Sequence, residues 1–336
     1  MTNDLLLEIQ DLKTYFFLRQ GTVKAVDGVD LRLPRGKTIG VVGESGCGKS
    51  VMAYSILQIV EEPGRIVGGK VLHYGAISPS GNQNVTDLAA LNPRGKEIRA
   101  IRGAEIAMIF QEPMTSLSSM HTIGFQIIEM IRLHTPLTKK EARERAIDML
   151  QKVGIPNAKH RVDDYQFQMS GGMRQRVMIA MALSCNPNLL IADEPTTALD
   201  VTTQAQILDL MQSLQTDMGM AIMLITHNLG VIAEMCDEVV VMYLGLVVER
   251  APVDALFYDP LHPYTSSLLA SIPKIGVGDQ ERLNPIRGAV PDPYNRPLGC
   301  PFHPRCPIRQ RGICDREMPA FKELADGRAV RCHFSP

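Results

Sequence analysis

Apolar and polar positions change their spacing several times along the 336 residues, and each change marks a different kind of element. Residues 5–42 carry short apolar or alternating runs, at 5–9 and 25–31, separated by turns such as Pro34-Arg35-Gly36. Runs of that kind predict strands. Residues 38–42 are continuously apolar and close on Gly43, as expected of a strand buried on both faces. A helix is predicted from about Lys49 through Leu57. Residues 67–110 alternate strand and loop and end in a strand at 106–110. From 112 to 165 the spacing turns mostly helical. Segments 125–131 and 141–153 carry the 3.6-residue apolar period, and Thr138 with Glu141 has the form of a capping box.

Residues 170–250 return to alternation, with helices at 172–184, 201–217 and 229–235 and strands at 189–192, 221–226 and 238–242. Such alternation predicts an α/β fold with a parallel sheet and crossover helices, interrupted by a helical insertion. Beyond residue 250 the pattern dissolves. More than half of the 22 prolines lie there, and few regular elements survive that density. A segment so irregular has little core of its own and would benefit from a covalent or metal staple.

The chain is long enough for about two domains of ~150 residues. A net charge of −1 gives no basic excess, which argues against nucleic acid as a partner. The start, Met1-Thr2-Asn3-Asp4, lacks the basic and apolar regions of a secretory signal. No run of ~18 apolar residues is present, so the chain is expected not to span a membrane, though it can dock on a protein that does.

Gly43-Glu44-Ser45-Gly46-Cys47-Gly48-Lys49-Ser50 matches G-x-x-x-x-G-K-[ST] between a predicted strand and a helix start. In such a loop, glycines let backbone N–H groups wrap phosphates, Lys49 neutralises β- and γ-phosphate oxygens, and Ser50 ligates Mg²⁺. Val51 follows in the same turn. The strand at 189–192 ends in Asp193-Glu194. Asp193 is a candidate Mg²⁺ ligand and Glu194 a candidate general base for an attacking water. A GTPase would need an Asn-Lys-x-Asp guanine reader, and none is present. Ser170-Gly171-Gly172 opens the predicted helix at 172–184, whose free N–H groups and dipole attract phosphate.

On these motifs the chain resembles an ATP-binding cassette (ABC) transporter ATPase, with residues 5–250 covering the family core in order. The resemblance implies a P-loop NTPase (RecA-like) core at 1–255, with an N-terminal antiparallel β-subdomain and a helical subdomain at about 112–165. It also implies roles for single residues. Gln111 resembles the Q-loop glutamine that touches Mg²⁺ or the attacking water. Met169 through Met173 resembles the signature that grips the nucleotide of an opposing subunit through Ser170, Gly171, Gly172 and Met173. Its outer residues are Met where the family has Leu and Gln. Ala198-Leu199-Asp200 resembles the D-loop, and His227 the switch histidine. Phe16 is the candidate for stacking on adenine, with Tyr15 as the neighbouring alternative. The implied partners are a second ABC ATPase subunit, identical or different, two transmembrane permease subunits, and indirectly an extracytoplasmic peptide-binding protein. The implied place is peripheral, at the cytoplasmic face of the cell membrane. DNA-repair ABC ATPases need a long coiled-coil insertion and translation-factor relatives carry two cassettes; this chain has neither.

Two features narrow the resemblance. His262-Pro263-Tyr264-Thr265 precedes an apolar helical run, and Cys300, Cys306, Cys314 and Cys332 follow with spacing C-x5-C-x7-C-x17-C. Together they are similar to the C-terminal extension, here 256–336, of oligopeptide/dipeptide importer ATPases; nickel and glutathione importers share it. Four thiolates can hold Zn²⁺ or an iron–sulfur cluster, or stay free. The C-x2-C knuckle usual for structural zinc is missing, and the resemblance implies a 4Fe-4S cluster that staples the tail or senses redox state. Cys47, Cys185 and Cys236 read as small buried apolar residues.

Overall fold

The computed structural model describes residues 4–77, 83–111, 116–197, 199–272 and 286–335. β1 (Leu5–Leu18) and β2 (Gly21–Pro34) form one long antiparallel hairpin. The short runs at 5–9 and 25–31 are therefore parts of two 14-residue strands. Register shifts between Ile9 and Leu12, and between Thr14 and Tyr15, interrupt the alternation without ending the pairing. That is why polar residues in mid-strand read as breaks. β4 (Gly64–Ile77) pairs with β1, and β5 (Gln83–Asp87) with β4, giving an antiparallel sheet of order β2-β1-β4-β5.

The second sheet has at its centre β3 (Thr38–Val42), β6 (Ile106–Ile109), β7 (Leu189–Asp193), β8 (Ala221–Ile225) and β9 (Glu238–Tyr243). These five are parallel, in the order β9-β3-β8-β7-β6. Every residue of β3, β7 and β8 is buried, which is the reason their sequences are apolar but for Thr38 at the start of β3 and Asp193 at the end of β7. β10 (Leu246–Pro252) adds an antiparallel edge, and two short tail strands, β12 (Ala329–Val330) and β11 (Lys322–Glu323), extend it. Helix α1 (Lys49–Ile56) follows β3, and α2 (Lys96–Ile101) precedes β6.

The insertion holds α3 (Ile123–His134), α4 (Lys139–Lys152) and α5 (Ala158–Arg161). Thr138 and Glu141 form the expected capping box at the start of α4. Ile127 and Ile131 of α3 share one buried cluster with Ala142, Ala146 and Leu150 of α4. The predicted start of this insertion at 112 lies outside the described residues. The chain then returns through α6 (Gly171–Leu183), α7 (Val201–Met218) and α8 (Leu229–Met235) to the sheet. In the tail, α9 (Val253–Tyr258) and α10 (Pro263–Ala270) are regular despite the prolines, because Pro263 sits at N1, where its missing N–H costs nothing. Tyr264, Cys300, Phe302 and Cys314 are buried in the same apolar cluster as the helices of the main sheet. Cys47 and Cys236 are buried as expected, but Cys185 is only half-buried.

Candidate nucleotide site

The carboxyl ends of β3, β8, β7 and β6 lie side by side in that order, and each releases candidate residues. Ligands of open parallel sheets bind at such strand ends. β3 runs into the loop Gly43 to Ser50. Gly43, Gly46 and Gly48 have φ of 150°, 78° and 104°. A Cβ on Gly43 would come 2.2 Å from the Met242 carbonyl oxygen, and one on Gly48 2.1 Å from that of Ala25. Only glycine fits either place. Ser45 and Gly46 are exposed at the rim, Cys47 is buried beneath, and Ser50 and Val51 are half-buried in the first turn of α1. Lys49 is buried, and its ammonium donates to the carbonyls of Gly43 (2.7 Å) and Glu44 (3.2 Å), which holds the positive charge inside the loop.

β7 ends in Asp193, which is wholly buried. Among the described residues neither of its carboxylate oxygens has a hydrogen-bond partner within the usual geometry. Burial pushes its pKa up, opposed by the nearby Ser50 hydroxyl; the Glu194 charge adds to the rise and Lys49 opposes it. An orphaned buried carboxylate of this kind demands a partner. A divalent cation held with the Ser50 hydroxyl is the partner this donor set fits.

Glu194, the next residue, takes a left-handed φ of 47°, a strain of about 1–3 kcal/mol that typically marks a functional site. Three side chains converge on its carboxylate. Gln111, just past β6, donates to Oε2 at 3.0 Å, and the Thr197 hydroxyl donates to the same oxygen at 2.9 Å. His227, just past β8, places Nδ1 3.2 Å from Oε1. Burial raises the pKa of Glu194, but the bonds from His227 and Thr197 and the charges of His227 and Lys49 outweigh it, so the group stays below the usual carboxylate range. Near neutral pH it is ionised, as a proton acceptor must be. Thr197 was not singled out from the sequence, because a threonine in a turn carries no signal until Glu194 is seen beside it.

Phe16 lies on β1, whose partner β2 touches the loop through Ala25. Its ring is half-buried, with its edge against Gly64. Tyr15 instead commits its hydroxyl to Asp27 at 2.5 Å. Ser170 caps α6, accepting the Met173 N–H at 3.3 Å. Ser170 and Gly171 are exposed, and a Cβ on Gly171 would meet nothing within 4 Å. Gly172 packs against Thr203, which also bonds Asp200, so the signature turn and the α7 cap form one exposed rim. Ala198 lies outside the described residues.

An open groove of about 770 Å³ runs beside Gln111, lined by Leu57, Ile59, Met108, Phe110, Met130 and Leu133 among others. The predicted strand at 106–110 stops at Ile109, and Phe110, 39% exposed, turns into this groove. In the tail all four cysteines are free thiols. The Cys332 sulfur accepts the Phe334 N–H at 3.5 Å. Burial pushes the Cys300 thiol up to about 11, the Phe302 amide pulls it back, and the charges of Cys306, Cys314 and Cys332 raise it further. Among the described residues no group of three or more His, Cys, Asp or Glu side chains is arranged to hold a single metal ion. The zinc and iron–sulfur expectations are thus not met by a preformed ion site.

Comparison with known proteins accords with this geometry. A family model described as ABC transporter matches residues 26–197, and one described as oligopeptide/dipeptide transporter, C-terminal region, matches residues 248–314. The chain is 50% identical to the oligopeptide transport ATP-binding protein AppD of Bacillus subtilis (strain 168), over 97% of this chain and 96% of that one. It is 46% identical to the dipeptide transport ATP-binding protein DppD of Escherichia coli (strain K12), over 98% and 96%. The dimeric ATP-binding cassette MJ0796, in a post-hydrolysis state with ADP and Pi, superimposes with a TM-score of 0.62 at 23% identity. The match covers 74% of this chain and 99% of that one, a likeness in fold.

Proposed function

The chain belongs to the ABC transporter family, and from that premise we propose that it is the ATP-hydrolysing subunit of an oligopeptide or dipeptide importer. The observation that carries the mechanism is the convergence of Gln111, Thr197 and His227 on the strained carboxylate of Glu194. The amides of the loop from Gly43 to Ser50 cradle the phosphates, Lys49 turns from the loop carbonyls to the β- and γ-oxygens, and Phe16 stacks on the base. Asp193, Ser50 and Gln111 hold Mg²⁺, which when bound neutralises phosphate charge. Glu194 accepts the proton of the attacking water. Gln111 orients that water, and His227, its side chain 67% exposed, reaches the γ-phosphate.

Ser170, Gly171, Gly172 and Met173 serve the nucleotide of a second cassette, with Asp200 beside them. Two chains therefore complete two sites, in a dimer that ATP closes and hydrolysis reopens. The apolar groove at Phe110 receives a segment of a transmembrane permease, so the state of Gln111 reports permease position. No helix among the described residues is long and apolar enough to cross a membrane. The chain works at the cytoplasmic face, bound to two permease subunits that a peptide-binding protein supplies. The cassette extends to about residue 255, and 256–336 is its extension.

In that extension Cys300, Cys306, Cys314 and Cys332 hold a 4Fe-4S cluster as a staple. The support is chemical. Four thiols influence one another's charge, and backbone N–H groups two residues on are aimed at the sulfurs of Cys300, Cys306 and Cys332. Such amides stabilise thiolates.

The test of the mechanism is Glu194→Gln. Turnover is expected to fall at least about 100-fold, the scale of general-base catalysis, while ATP binding persists. Undiminished hydrolysis in that variant removes Glu194 as the base.

A further inference from the structure

Glu44, the second residue of the phosphate loop, does not point into the loop. Both of its carboxylate oxygens are held by one guanidinium from the tail: Arg305 Nη1 donates to Oε2 at 2.6 Å and Nη2 to Oε1 at 3.0 Å. The Glu44 backbone N–H is also taken from the tail side, by the Tyr264 hydroxyl at 2.9 Å. The first corner of the loop is therefore pinned through both side chain and backbone by residues more than 200 positions away.

The pin is itself rigid. The Arg305 side chain is 4% exposed, and its remaining donors reach the Arg287 carbonyl at 3.1 Å and the Tyr243 hydroxyl at 3.4 Å. Its backbone N–H bonds the Phe302 carbonyl at 3.0 Å, and Phe302 is buried between the rings of Tyr243 and Tyr264, each 5.3 Å away. A two-pronged, buried guanidinium–carboxylate pair fixes direction as well as distance, which a lysine cannot reproduce.

We propose that Arg305 is a positioning residue for nucleotide binding: acting through Glu44, it holds the first corner of the phosphate loop in the form that receives the phosphates. ATP affinity then depends on the loop between Cys300 and Cys306, although Arg305 itself touches no nucleotide. The proposal rests on the reading that this loop binds ATP.

The experiment measures ATP affinity and steady-state hydrolysis with the full chain. Arg305→Ala is expected to weaken ATP binding about tenfold while kcat changes less than roughly threefold, the scale of coupling between contacting residues. Arg305→Lys should fall between the two, and Glu44→Ala combined with Arg305→Ala should bind no more weakly than Glu44→Ala alone. Where Arg305→Ala fails to fold, Glu44→Gln, which keeps size and loses the charge, carries the test in the same direction. Lys49→Ala separates the two readings. If it binds ATP normally, the loop is not the nucleotide site and both readings fail. If it loses ATP while Arg305→Ala and Glu44→Gln bind like the unaltered chain, only the positioning role fails. Additive losses in the double variant also overturn it.

Discussion

The turn that opens α1 and the turn that opens α6 use glycine for different reasons. In the first, Gly43 and Gly48 press on the carbonyls of Met242 and Ala25, so their own chain requires the missing side chains. In the second, Gly171 has open space where a Cβ would stand, and Ser170 beside it is exposed. No steric contact among the described residues requires glycine at 171, in keeping with the proposal that this turn serves something outside the chain. Lys49, Asp193 and Glu194 are buried or half-buried around the first turn; the second offers only a helix start and a capping serine. On the proposed reading, one turn belongs to a site built in place, and the other to half of a site whose remainder a second chain supplies.

Substituting the two glycines breaks or sharpens that contrast, with the largest effects expected. Gly48→Ala places a Cβ against Ala25 in a left-handed backbone. It is expected to cost about 2 kcal/mol or more of stability, together with ATP binding. Gly171→Asp has room, and an acidic residue suits a helix start, so melting should shift by no more than about 0.5 kcal/mol. Each chain should still bind ATP, while hydrolysis falls about 100-fold because the aspartate repels the opposing phosphate. Calorimetry and turnover on both variants decide the matter. Unimpaired hydrolysis in Gly171→Asp would mean that the second turn faces no phosphate.

The first turn is the more legible in the sequence, because it follows a buried apolar run, and a strand buried on both faces announces where it ends. The second opens a helix and gains its meaning only from the phosphate loop and the acidic strand end around it. Asp193 and Glu194 stand at another such strand end, and His227 is legible by its order along the chain. Gln111 was found by order along the chain, and the structure joins it to Glu194, 83 residues away. The hairpin of β1 and β2 was read too short, because bulges shift its alternation. The ties from the tail left no local trace at all. Arg305 stands 261 residues from Glu44, and nothing in a proline-rich, irregular stretch reveals which buried carboxylate an arginine will meet. Backbone-periodic elements write themselves into sequence; single side-chain bonds across the fold do not.

A middle-sized effect concerns what steadies the tail that steadies the first turn. If the proposed cluster is present, protein prepared without oxygen is expected to be brown and to contain iron and sulfide in about a four-to-four ratio. Cys300→Ser should lose the colour and lower the melting temperature, yet reduce hydrolysis far less than Gly171→Asp does. A colourless, zinc-loaded protein would replace the cluster with a single-ion staple.

The effect with least bearing on turnover comes from protons. His262 is buried, and its Nδ1 accepts the N–H of Tyr264 at 3.0 Å, a bond that needs the neutral ring. Burial pushes its pKa down to about 3, against about 6.5 for an unfolded histidine. The unfolded chain therefore binds the extra proton first as the solution is acidified. The contribution of His262 is fully present above pH ~6.5 and is lost as pH falls toward 3, at about 1.4 kcal/mol per unit. Between pH 7 and 5 this amounts to about 2 kcal/mol. His262→Asn can keep an acceptor for the Tyr264 amide and does not titrate, while Glu249, which accepts the His262 backbone N–H at 2.9 Å, is common to both proteins. The stability gap between them should narrow on acidification, because the unaltered chain loses more. Since Tyr264 is the residue that holds the Glu44 amide, acid is expected to loosen the α1 turn's outer support and to leave the α6 turn untouched. Equal slopes of stability against pH in the two proteins would show that His262 titrates like an exposed histidine, and that this link between the tail and the phosphate loop is not proton-sensitive.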